Sequence, residues 1–164
     1  MQERDFEIRF GRREDATEAA GLWVQSAREH EEYDAVYTTS PNAERTMRRF
    51  LADLSSGGYA CLLVAVIRRE EGGEEMVGFL SAELREGSPA FSPKTWTSID
   101  DVYVAPGHRG RGIGRSLLDG CKEWSREKGA DGVSLQVAAA NERARKLYRE
   151  LGFREVSVYE VLEF

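Results

Sequence analysis

The chain contains few of the residues that build metal sites and disulfide frameworks. Its 164 residues include two cysteines, Cys61 and Cys121, and two histidines, His30 and His108. Both cysteines lie in apolar segments far apart in the sequence, which predicts buried, reduced thiols and no disulfide. Cysteine, histidine and carboxylate side chains do not cluster at ligand spacing, so we expect no metal site.

Long apolar runs are missing as well. A membrane-spanning helix needs roughly 20 consecutive apolar residues, and the sequence offers no such run, so we expect no membrane contact. The charged segment Met1–Asp5 lacks the apolar region of a signal peptide, which favours a cytoplasmic location. The length fits a single domain covering residues 1–164.

The charge balance disfavours one class of partner. The chain carries 29 acidic and 23 basic residues, a formal net charge of −6. Nucleic-acid-binding domains are usually basic, so we expect no nucleic-acid partner. Hydrophobic residues make up 41% of the chain, which is enough for a globular core.

The apolar periodicity predicts an α/β domain. Strands are predicted at residues 6–10, 59–67, 76–84, 95–104 and 133–137, with closing strands between residues 153 and 164. Helices are predicted after Asp15 as the amino-terminal cap, after Pro41-Asn42, at residues 113–128 and at residues 141–151. The order β-α-α-β-β-β-α-β-α-β indicates a mixed, mostly antiparallel sheet.

The most informative segment runs from Val102 to Arg115. It reads as a strand end, a proline–glycine turn and a helix start with glycines at alternate positions, Gly110, Gly112 and Gly114. Backbone N–H groups at a glycine-rich helix start, with the helix dipole behind them, suit a diphosphate. The segment is neither a P-loop nor a dinucleotide-binding fingerprint, because Arg115 stands where the last glycine of that fingerprint belongs.

Two sequence patterns occur here in a recognisable order. The loop matches Gln/Arg-x-x-Gly-x-Gly/Ala through Arg109, Gly112 and Gly114. About thirty residues later comes Asn-x-x-Ala-x-x-x-Tyr-x-x-x-Gly-Phe, formed by Asn141, Ala144, Tyr148, Gly152 and Phe153. Together they resemble the GCN5-related N-acetyltransferase (GNAT) family. The resemblance covers residues 77–164, and the amino-terminal half matches only in outline.

The resemblance implies a fold and an activity. The fold would be the acyl-CoA N-acyltransferase fold, with a central sheet of six to seven strands and about four flanking helices. The activity would be acetyl transfer from acetyl-CoA, as co-substrate, to a primary amine by direct attack in a ternary complex. The alternative is a catalytically silent acyl-CoA-binding sensor or interaction domain. Retention of both Asn141 and Tyr148 argues against that alternative. A homodimer through the sheet edge near residues 156–164 would fit an analogy with folds of this kind.

The resemblance also assigns the cofactor site. Backbone N–H groups from Gly110 to Arg115 would wrap the pyrophosphate, with charge from Arg109 and Arg111. The strand before the loop would bulge and splay from its neighbour, so that its freed backbone groups pair with the pantetheine arm, and Asn141 would bind the pantetheine amide. The expected cofactor-binding residues are Val102, Tyr103, Val104, Arg109, Gly110, Arg111, Gly112, Ile113, Gly114, Arg115, Asn141 and Tyr148.

For catalysis, the resemblance makes Tyr148 the general acid for the departing thiolate. The general base is open between Asp100 and Asp101, which alternation places on opposite faces of the strand. Asp100 would share its face with Val102 and Val104, and Asp101 would share the other with Ile99 and Tyr103. We favour Asp100, and Glu83 or a water molecule is a further candidate.

Two linkers are candidates for the walls of an acceptor site, residues 29–40 and residues 85–96. The first combines carboxylates with Tyr33 and Tyr37, which suits a cationic amine. The second contains Phe91 and Trp96, either as a lid or as packing. Small-molecule amines such as polyamines and aminoglycosides, and peptide or protein amino groups, all remain open as acceptors.

Overall fold

A computed structural model describes residues 5–92 and 94–164. Two predicted features therefore lie partly outside the described residues. They are the charged segment at residues 1–5 and the second linker at residues 85–96, which contains Pro93. Five strands and four α-helices are present in the described part. The strands are β1 (Glu7–Phe10), β2 (Ala60–Arg68), β3 (Glu74–Glu86), β4 (Thr95–Val104) and β5 (Gly132–Leu135). The helices are α1 (Ala16–Glu31), α2 (Ala43–Leu54), α3 (Ile113–Glu127) and α4 (Glu142–Glu150).

The strands form one sheet in the order β1-β2-β3-β4-β5. The first three pairings are antiparallel, and β4 pairs with β5 in parallel. This confirms the α/β class and the mixed, mostly antiparallel sheet.

Strand β2 is apolar along its length because helices cover both faces of the sheet. Leu62, Val64 and Val66 pack in a cluster with residues of α1 and α2. Cys61, Leu63 and Ala65 pack in the opposite cluster with residues of α3. The candidate site lies at the carboxyl-terminal end of β4, between the end of α1 on one side and α3 and α4 on the other.

Cys61 and Cys121 are free and buried, as predicted. Burial raises the pKa of the Cys61 thiol to about 12 and that of the Cys121 thiol to about 11, so neither is a nucleophile at neutral pH. The described residues hold no group of three or more potential metal ligands. Each described helix is too short or too polar to cross a membrane.

The sheet differs from the prediction at its carboxyl-terminal edge. Five strands are found where six to seven were expected, and residues 153–164 form no strand. A strand needs a partner for its backbone groups, and in this single copy the segment lies against none. The predicted closing strands are therefore wrong for the isolated chain.

Asp15 does not cap α1 with its side chain. Its carboxylate accepts hydrogen bonds from the Arg9 guanidinium at 2.8 and 3.0 Å and from the Arg12 amide at 2.6 Å. A bidentate arginine contact is stronger than a single capping bond. Asp15 does lie at the start of α1, as its residue type predicts. Its carboxylate oxygens, however, accept hydrogen bonds from Arg9 and Arg12 instead of from the first amides of the helix.

A β-bulge in β4 changes which residues share a face. Ser81 lies opposite Asp101 and Ala82 opposite Ile99, so Asp100 is the extra residue. An extra residue reverses the alternation on one side of it. Ile99 consequently packs in the same cluster as Val102 and Val104, on the α3 side. The expectation that Asp101 shares its face with Ile99 was wrong.

Candidate active site

A cleft of about 480 Å³ opens where β4 meets the glycine loop. We call it the β4 cleft. Its walls include the end of α1, the end of β4, the glycine loop and α4. The lining residues of β4 and the loop are 100–104, 108–110 and 112–115. The cleft therefore brings together the predicted catalytic and cofactor-binding residues, except Arg111 and the further base candidate Glu83.

The glycine loop owes two of its glycines to backbone conformation. Gly110 has φ +79° and Gly112 has φ +83°, and a Cβ on either would meet no protein atom within 4 Å. The left-handed backbone, and not crowding by the protein, is what calls for glycine. Gly114 differs, because its Cβ would make ordinary contacts with Leu147 and Val104 at 3.7 and 3.8 Å. Alanine would fit there, which agrees with the Gly/Ala choice in the loop pattern.

The start of α3 is suited to an anion. Gly112 caps the helix without a side-chain hydrogen bond, and the first turn has no acidic residue. The Ser116 amide bonds to the Gly112 carbonyl at 3.0 Å, which leaves the earlier N–H groups of the turn for a ligand. The positive end of a 15-residue helix lies behind them. The residues present thus fit a diphosphate group.

Arg109 is bound inside the protein. Its Nε donates to the Val104 carbonyl at 2.7 Å, and its Nη2 donates to Glu29 of α1 at 2.6 Å. The guanidinium carbon lies 5.2 Å from the centre of the Tyr103 ring, and the Tyr103 hydroxyl donates to the same Glu29 oxygen at 2.8 Å. Although burial opposes it, the hydrogen bonds from Arg109 and Tyr103 hold the pKa of Glu29 below its usual value.

The other loop arginines also have acidic partners. Arg111 contacts Asp5 and lies 3.0 Å from Nδ1 of His108. Arg115 pairs with Glu150 of α4 at 2.9 Å. The side-chain charge that was expected at the loop is therefore partly neutralised, which leaves the backbone N–H groups at the start of α3 as the main donors available to an anion.

Strands β4 and β5 separate halfway along β4. The parallel ladder joins Trp96–Ile99 to Gly132–Leu135 and ends there. Val102 and Tyr103 lie beyond this ladder, on a strand edge that faces the cleft. An open strand edge can take an extended chain as an additional strand, which is the role expected for the pantetheine arm.

Asp100 is the extra residue of the bulge, and its side chain is 22% exposed. Arg85 of β3 contacts it at 2.7 Å and also contacts Glu83 at 3.3 Å. Burial raises the pKa of Asp100 to about 6, in spite of the attraction of Arg85 and with added repulsion from Glu83 and Asp101. A carboxylate with a pKa close to neutrality is suited to proton transfer.

Asp101 has a different environment on the other face of the sheet. Trp23 Nε1 donates to one of its oxygens at 3.0 Å, and the Ser81 hydroxyl donates to the other at 2.9 Å. Burial raises its pKa despite these two hydrogen bonds. With both oxygens engaged by protein donors, Asp101 is less available to an acceptor amine than Asp100.

Tyr148 of α4 forms the opposite wall of the cleft. It is buried, and its ring packs edge-on against Phe153 at 5.7 Å. Burial raises its pKa to about 12, so the hydroxyl stays protonated at neutral pH. Within the described residues the hydroxyl has no hydrogen-bond partner.

Asn141 lines the same cleft, but its Oδ1 accepts a hydrogen bond from the Ala144 amide at 3.2 Å as the cap of α4. Its side-chain NH₂ is left to donate.

The predicted acceptor segment included Glu29 at the end of α1, which lines the cleft, but the prediction gave no role there to Ser26 or His30. Ser26 and His30 both line the cleft, and His30 Nδ1 lies 2.8 Å from the Ser26 carbonyl oxygen. The His30 ring packs edge-on against Tyr33 and Tyr37, at 5.5 and 5.4 Å. A helical stripe of Trp23, Ser26 and His30 was present in the sequence as a signal, although histidine had been considered only as a metal ligand.

The two predicted acceptor linkers behave differently from each other. In the first, Glu31 bonds to Thr39 and Asp34 to the Val36 amide, so those carboxylates act locally, while Tyr33 lines the cleft. In the second, Trp96 belongs to β4, and neither it nor Phe91 lines the cleft. Packing, not a lid, is the role that the structure gives Trp96.

Comparison with known proteins identifies the family of the sequence. The sequence matches the profile described as "Acetyltransferase (GNAT) family" over residues 14–153. A streptothricin acetyltransferase from Streptomyces lavendulae is 43% identical over 70 residues, 41% of this chain and 37% of the relative. A thialysine N-epsilon-acetyltransferase from Bos taurus is 32% identical over 105 residues, 60% of this chain and 58% of the relative. The matches thus span less than two thirds of these curated relatives.

Solved structures agree on the fold. A variant of the BH1408 protein from Bacillus halodurans superposes with a TM-score of 0.82 at 24% identity, covering 96% of this chain and 99% of that chain. The structure of AAC(6')-Iy in complex with a bisubstrate CoA analogue superposes with a TM-score of 0.69 at 16% identity, covering 97% of each chain. The profile match covers most of the sequence, and this chain belongs to the acetyltransferase (GNAT) family.

Proposed function

We propose that the chain is an N-acetyltransferase that moves the acetyl group of acetyl-CoA to a primary amine by direct attack in a ternary complex. The observation that carries the proposal is the β4 cleft, in which an anion-binding helix start, an open strand edge, two carboxylates and a protonated tyrosine face one space. The named relatives are acetyltransferases, one of them an N-epsilon-acetyltransferase, which supports the choice of reaction.

The glycine loop would hold the cofactor. Bound acetyl-CoA supplies the activated thioester. The N–H groups of Ile113, Gly114 and Arg115 would bind its pyrophosphate, with Gly110 and Gly112 giving the loop the required backbone. Arg109 would position the loop by tying it to α1, since its guanidinium is bound to Glu29.

The exposed edge of β4 would orient the reacting carbonyl. Backbone groups of Val102, Tyr103 and Val104 would pair with the pantetheine arm, and Asn141 would donate to one of its amides. The Val104 carbonyl already accepts from Arg109, so Val102 and Tyr103 are the residues that we assign to the region next to the thioester.

Asp100 would serve as the general base. An alkyl ammonium has a pKa near 10, and the nitrogen must lose a proton before its lone pair can form the new C–N bond. Asp100, with a pKa of about 6, is ionised at neutral pH and can accept that proton directly or through water. Asp101 would contribute negative charge that attracts the ammonium group, because its own oxygens are already hydrogen-bonded.

Tyr148 would be the general acid when the C–S bond breaks. Its hydroxyl is protonated at neutral pH and has no competing partner in the described structure. A free thiol has a pKa of about 8.5, which makes full transfer from an isolated tyrosine unfavourable. The buried setting that raises the pKa of Tyr148 would also raise the pKa of a neighbouring thiol, so the difference between the two pKa values does not grow by the full shift of Tyr148.

The acceptor would enter past the end of α1. His30 and Tyr33 offer aromatic surface there, and Asp100 and Asp101 offer negative charge, a combination that suits a cationic amine. A small-molecule amine or a peptide amino group meets these requirements. We assign the activity to one domain over residues 1–164 in the cytoplasm, where the free thiols of Cys61 and Cys121 stay reduced.

The test is a panel assay of thiol release from acetyl-CoA. The panel contains polyamines, aminoglycosides, amino acids including lysine analogues, and short peptides, and coenzyme A binding is measured in parallel by calorimetry. Thiol release with one amine class, together with the acetylated product by mass spectrometry, supports the enzyme. Coenzyme A binding without release for any acceptor would favour the sensor alternative, and loss of both would contradict the assigned site.

A further inference from the structure

One cationic side chain from outside the β4 cleft contacts a carboxylate of the cleft wall. Arg85 of β3 does not line the cleft, but its Nη2 donates to Asp100 Oδ1 at 2.7 Å and to Glu83 Oε2 at 3.3 Å. The shorter distance is that of a charge-assisted hydrogen bond. A single nitrogen thus joins the proposed general base to a second carboxylate, and the position beside Asp100 is a cation site that Arg85 fills.

The register of the sheet shows how far the Arg85 side chain extends to reach this position. Arg85 lies opposite Trp96, whereas Asp100 lies four positions further along β4, a separation of roughly 13 Å at the usual rise of a strand. Glu83 projects from the same face of β3 as Arg85 and lies opposite Ser98, between these two positions. The arginine side chain is therefore drawn along the strand towards the two carboxylates.

Arg85 is held there by charge and not by packing. Its side chain is 54% exposed, compared with 35% for Glu83 and 22% for Asp100. Exposed ion pairs are weak, because holding a long side chain in one geometry costs conformational freedom and water screens the attraction. The guanidinium can therefore leave Asp100 without disturbing the core.

A cationic acceptor needs the position that Arg85 occupies. In the proposed reaction the acceptor nitrogen lies within hydrogen-bonding distance of Asp100, so that the carboxylate can take its proton. A second cation at the same carboxylate would lie within a few ångströms of the guanidinium and would be repelled by it. The two positive groups therefore compete for Asp100.

We propose that Arg85 is an internal counter-ion of Asp100, and that the ammonium group of the acceptor displaces it on binding. Glu83 would retain the guanidinium after the exchange, so that the charge of Arg85 keeps a partner. The inference rests on the proposed function and adds a requirement to it. An alkyl ammonium is charged at neutral pH and can replace Arg85, whereas an uncharged amine cannot.

The neighbouring charges set the direction in which each substitution should act. Burial raises the pKa of Asp100 to about 6, while the charge of Arg85 lowers this pKa and the charges of Glu83 and Asp101 raise it. Removing Arg85 should therefore raise the pKa of Asp100, and removing Glu83 should lower it. A merely structural role of the two residues would not move the pKa in opposite directions.

Other elements also place ionisable groups around the cleft. Glu29 and His30 of α1 line it, and Arg109 neutralises Glu29. Arg143 and Tyr148 of α4 line the opposite side. These groups are the same in every variant described below, so differences between the variants report on Arg85 and Glu83 alone.

The exchange can be measured without acetyl transfer. The probe is butylammonium chloride, and potassium chloride at the same ionic strength is the reference. In NMR spectra of isotope-labelled protein, the carboxyl signal of Asp100 reports binding, and the Nε–H signal of Arg85 reports the guanidinium. Each signal is assigned by its loss in Asp100→Asn or Arg85→Gln. Butylammonium should shift the Arg85 signal in the direction in which Asp100→Asn shifts it.

The variants should differ in their affinity for the probe. Arg85→Gln should bind butylammonium about two- to fivefold more tightly, the range for loss of an exposed ion pair, and Glu83→Gln should bind it more weakly. Arg85→Lys keeps the competing charge and should behave like the unmodified protein. Arg69→Gln is the matched control, because Arg69 is 57% exposed and paired with Glu75 outside the cleft, and it should leave the affinity unchanged.

Kinetics extend the test once the panel assay has supplied an acceptor. Arg85→Gln should lower KM for that acceptor and move the inflection of kcat/KM to higher pH, and Glu83→Gln should do the reverse. Arg85→Lys should keep both values close to those of the unmodified protein.

Three results would overturn the inference. Equal or weaker binding of butylammonium by Arg85→Gln would show that the guanidinium does not compete with the ammonium. An Arg85 signal that stays in place while the Asp100 signal moves would show binding without displacement. An Asp100 signal that moves in no variant would show that no cation exchanges there. Absence of thiol release would contradict only the proposed function, because the NMR titration does not depend on it.

Discussion

The carboxylate of Glu29 and the guanidinium of Arg109 lie 2.6 Å apart, joining helix α1 to the loop that begins α3. Tyr103 donates to the same carboxylate and lies beneath the arginine. The arginine of the family pattern is thus a structural tie between helix α1 and the glycine loop, on two sides of the β4 cleft.

Because Arg109 is held by Glu29, we expect Glu29→Gln and Arg109→Gln to have similar effects. Each should destabilise the protein by about 1 to 2 kcal/mol, as for a partly buried, hydrogen-bonded ion pair. The double variant should cost less than the sum, with a coupling energy of about 1 kcal/mol in urea unfolding.

The affinity for coenzyme A distinguishes this structural role of Arg109 from direct binding of phosphate. If Arg109 instead binds phosphate, Arg109→Gln should weaken coenzyme A binding while Glu29→Gln, which frees the guanidinium, should strengthen it. Additive unfolding energies together with that pattern would contradict the structural tie.

The helix start at Gly112 allows charge to be separated from backbone conformation. Gly112→Asp and Gly112→Asn place side chains of the same shape at φ +83°, where asparagine and aspartate are the better tolerated alternatives to glycine. Both should fold with a loss of about 1 kcal/mol. We expect the aspartate to weaken coenzyme A binding by about 100-fold and the asparagine by about 10-fold or less.

Calorimetric titration measures both affinities, and circular dichroism checks the fold. Equal losses for the two variants would indicate that shape alone matters at this position, and that no anion lies near it.

The sequence predicts the fold and most of the cleft because their signals are local. The burial of β2 follows from its unbroken apolar run, and the start of α3 follows from its glycines. Two short patterns place Arg109, Gly112 and Tyr148 around one space. Each of these features depends on residues within a few positions of one another.

The features that were missed depend on contacts between distant residues. The resemblance implies a bulge in β4, but its position at Asp100 depends on the register with Ser81 and Ala82 of β3, and no residue type in β4 indicates that position. Arg109 looks like a phosphate ligand until Glu29, 80 positions earlier, is placed beside it. The predicted closing strands also depend on a distant partner, because alternation alone does not show whether a sheet edge lies beside residues 153–164, and no strand of the described sheet pairs with them.

The raised pKa of Asp100 predicts how activity depends on pH. The base must be ionised, so kcat/KM should fall as the pH drops below about 6, the pKa of this carboxyl. Asp100→Asn should lower kcat by about 10² to 10⁴-fold and remove this inflection. Asp101→Asn is the matched control, and it should retain the inflection, because Asp101 is bound by Trp23 and Ser81. The reverse pattern would assign the base to Asp101.

The same shift predicts an effect on stability. The folded protein binds the Asp100 proton more tightly than the unfolded chain, whose aspartates have a pKa of about 4. Asp100 therefore supports folding below about pH 4, and that support is lost as the pH rises through about 6. Asp100→Asn should raise the free energy of unfolding at pH 7.5 by about 1 to 2 kcal/mol and change it little at pH 3.5. Equal changes at both pH values would show that the carboxyl is not destabilised by burial.

Removing the hydroxyl of Tyr148 tests its catalytic role without changing the packing of its ring. Tyr148→Phe keeps the ring against Phe153 and removes an oxygen that has no hydrogen bond in the described structure. The melting temperature and the affinity for acetyl-CoA should therefore stay within error of the unmodified protein. We expect kcat to fall by about 100-fold, the lower part of the range for general acids.

Tyr59→Phe, at an exposed tyrosine outside the cleft, serves as the control and should leave kcat unchanged. If Tyr148→Phe also left kcat unchanged, water would have to supply the proton to the thiolate, whereas a lower melting temperature would make the hydroxyl structural.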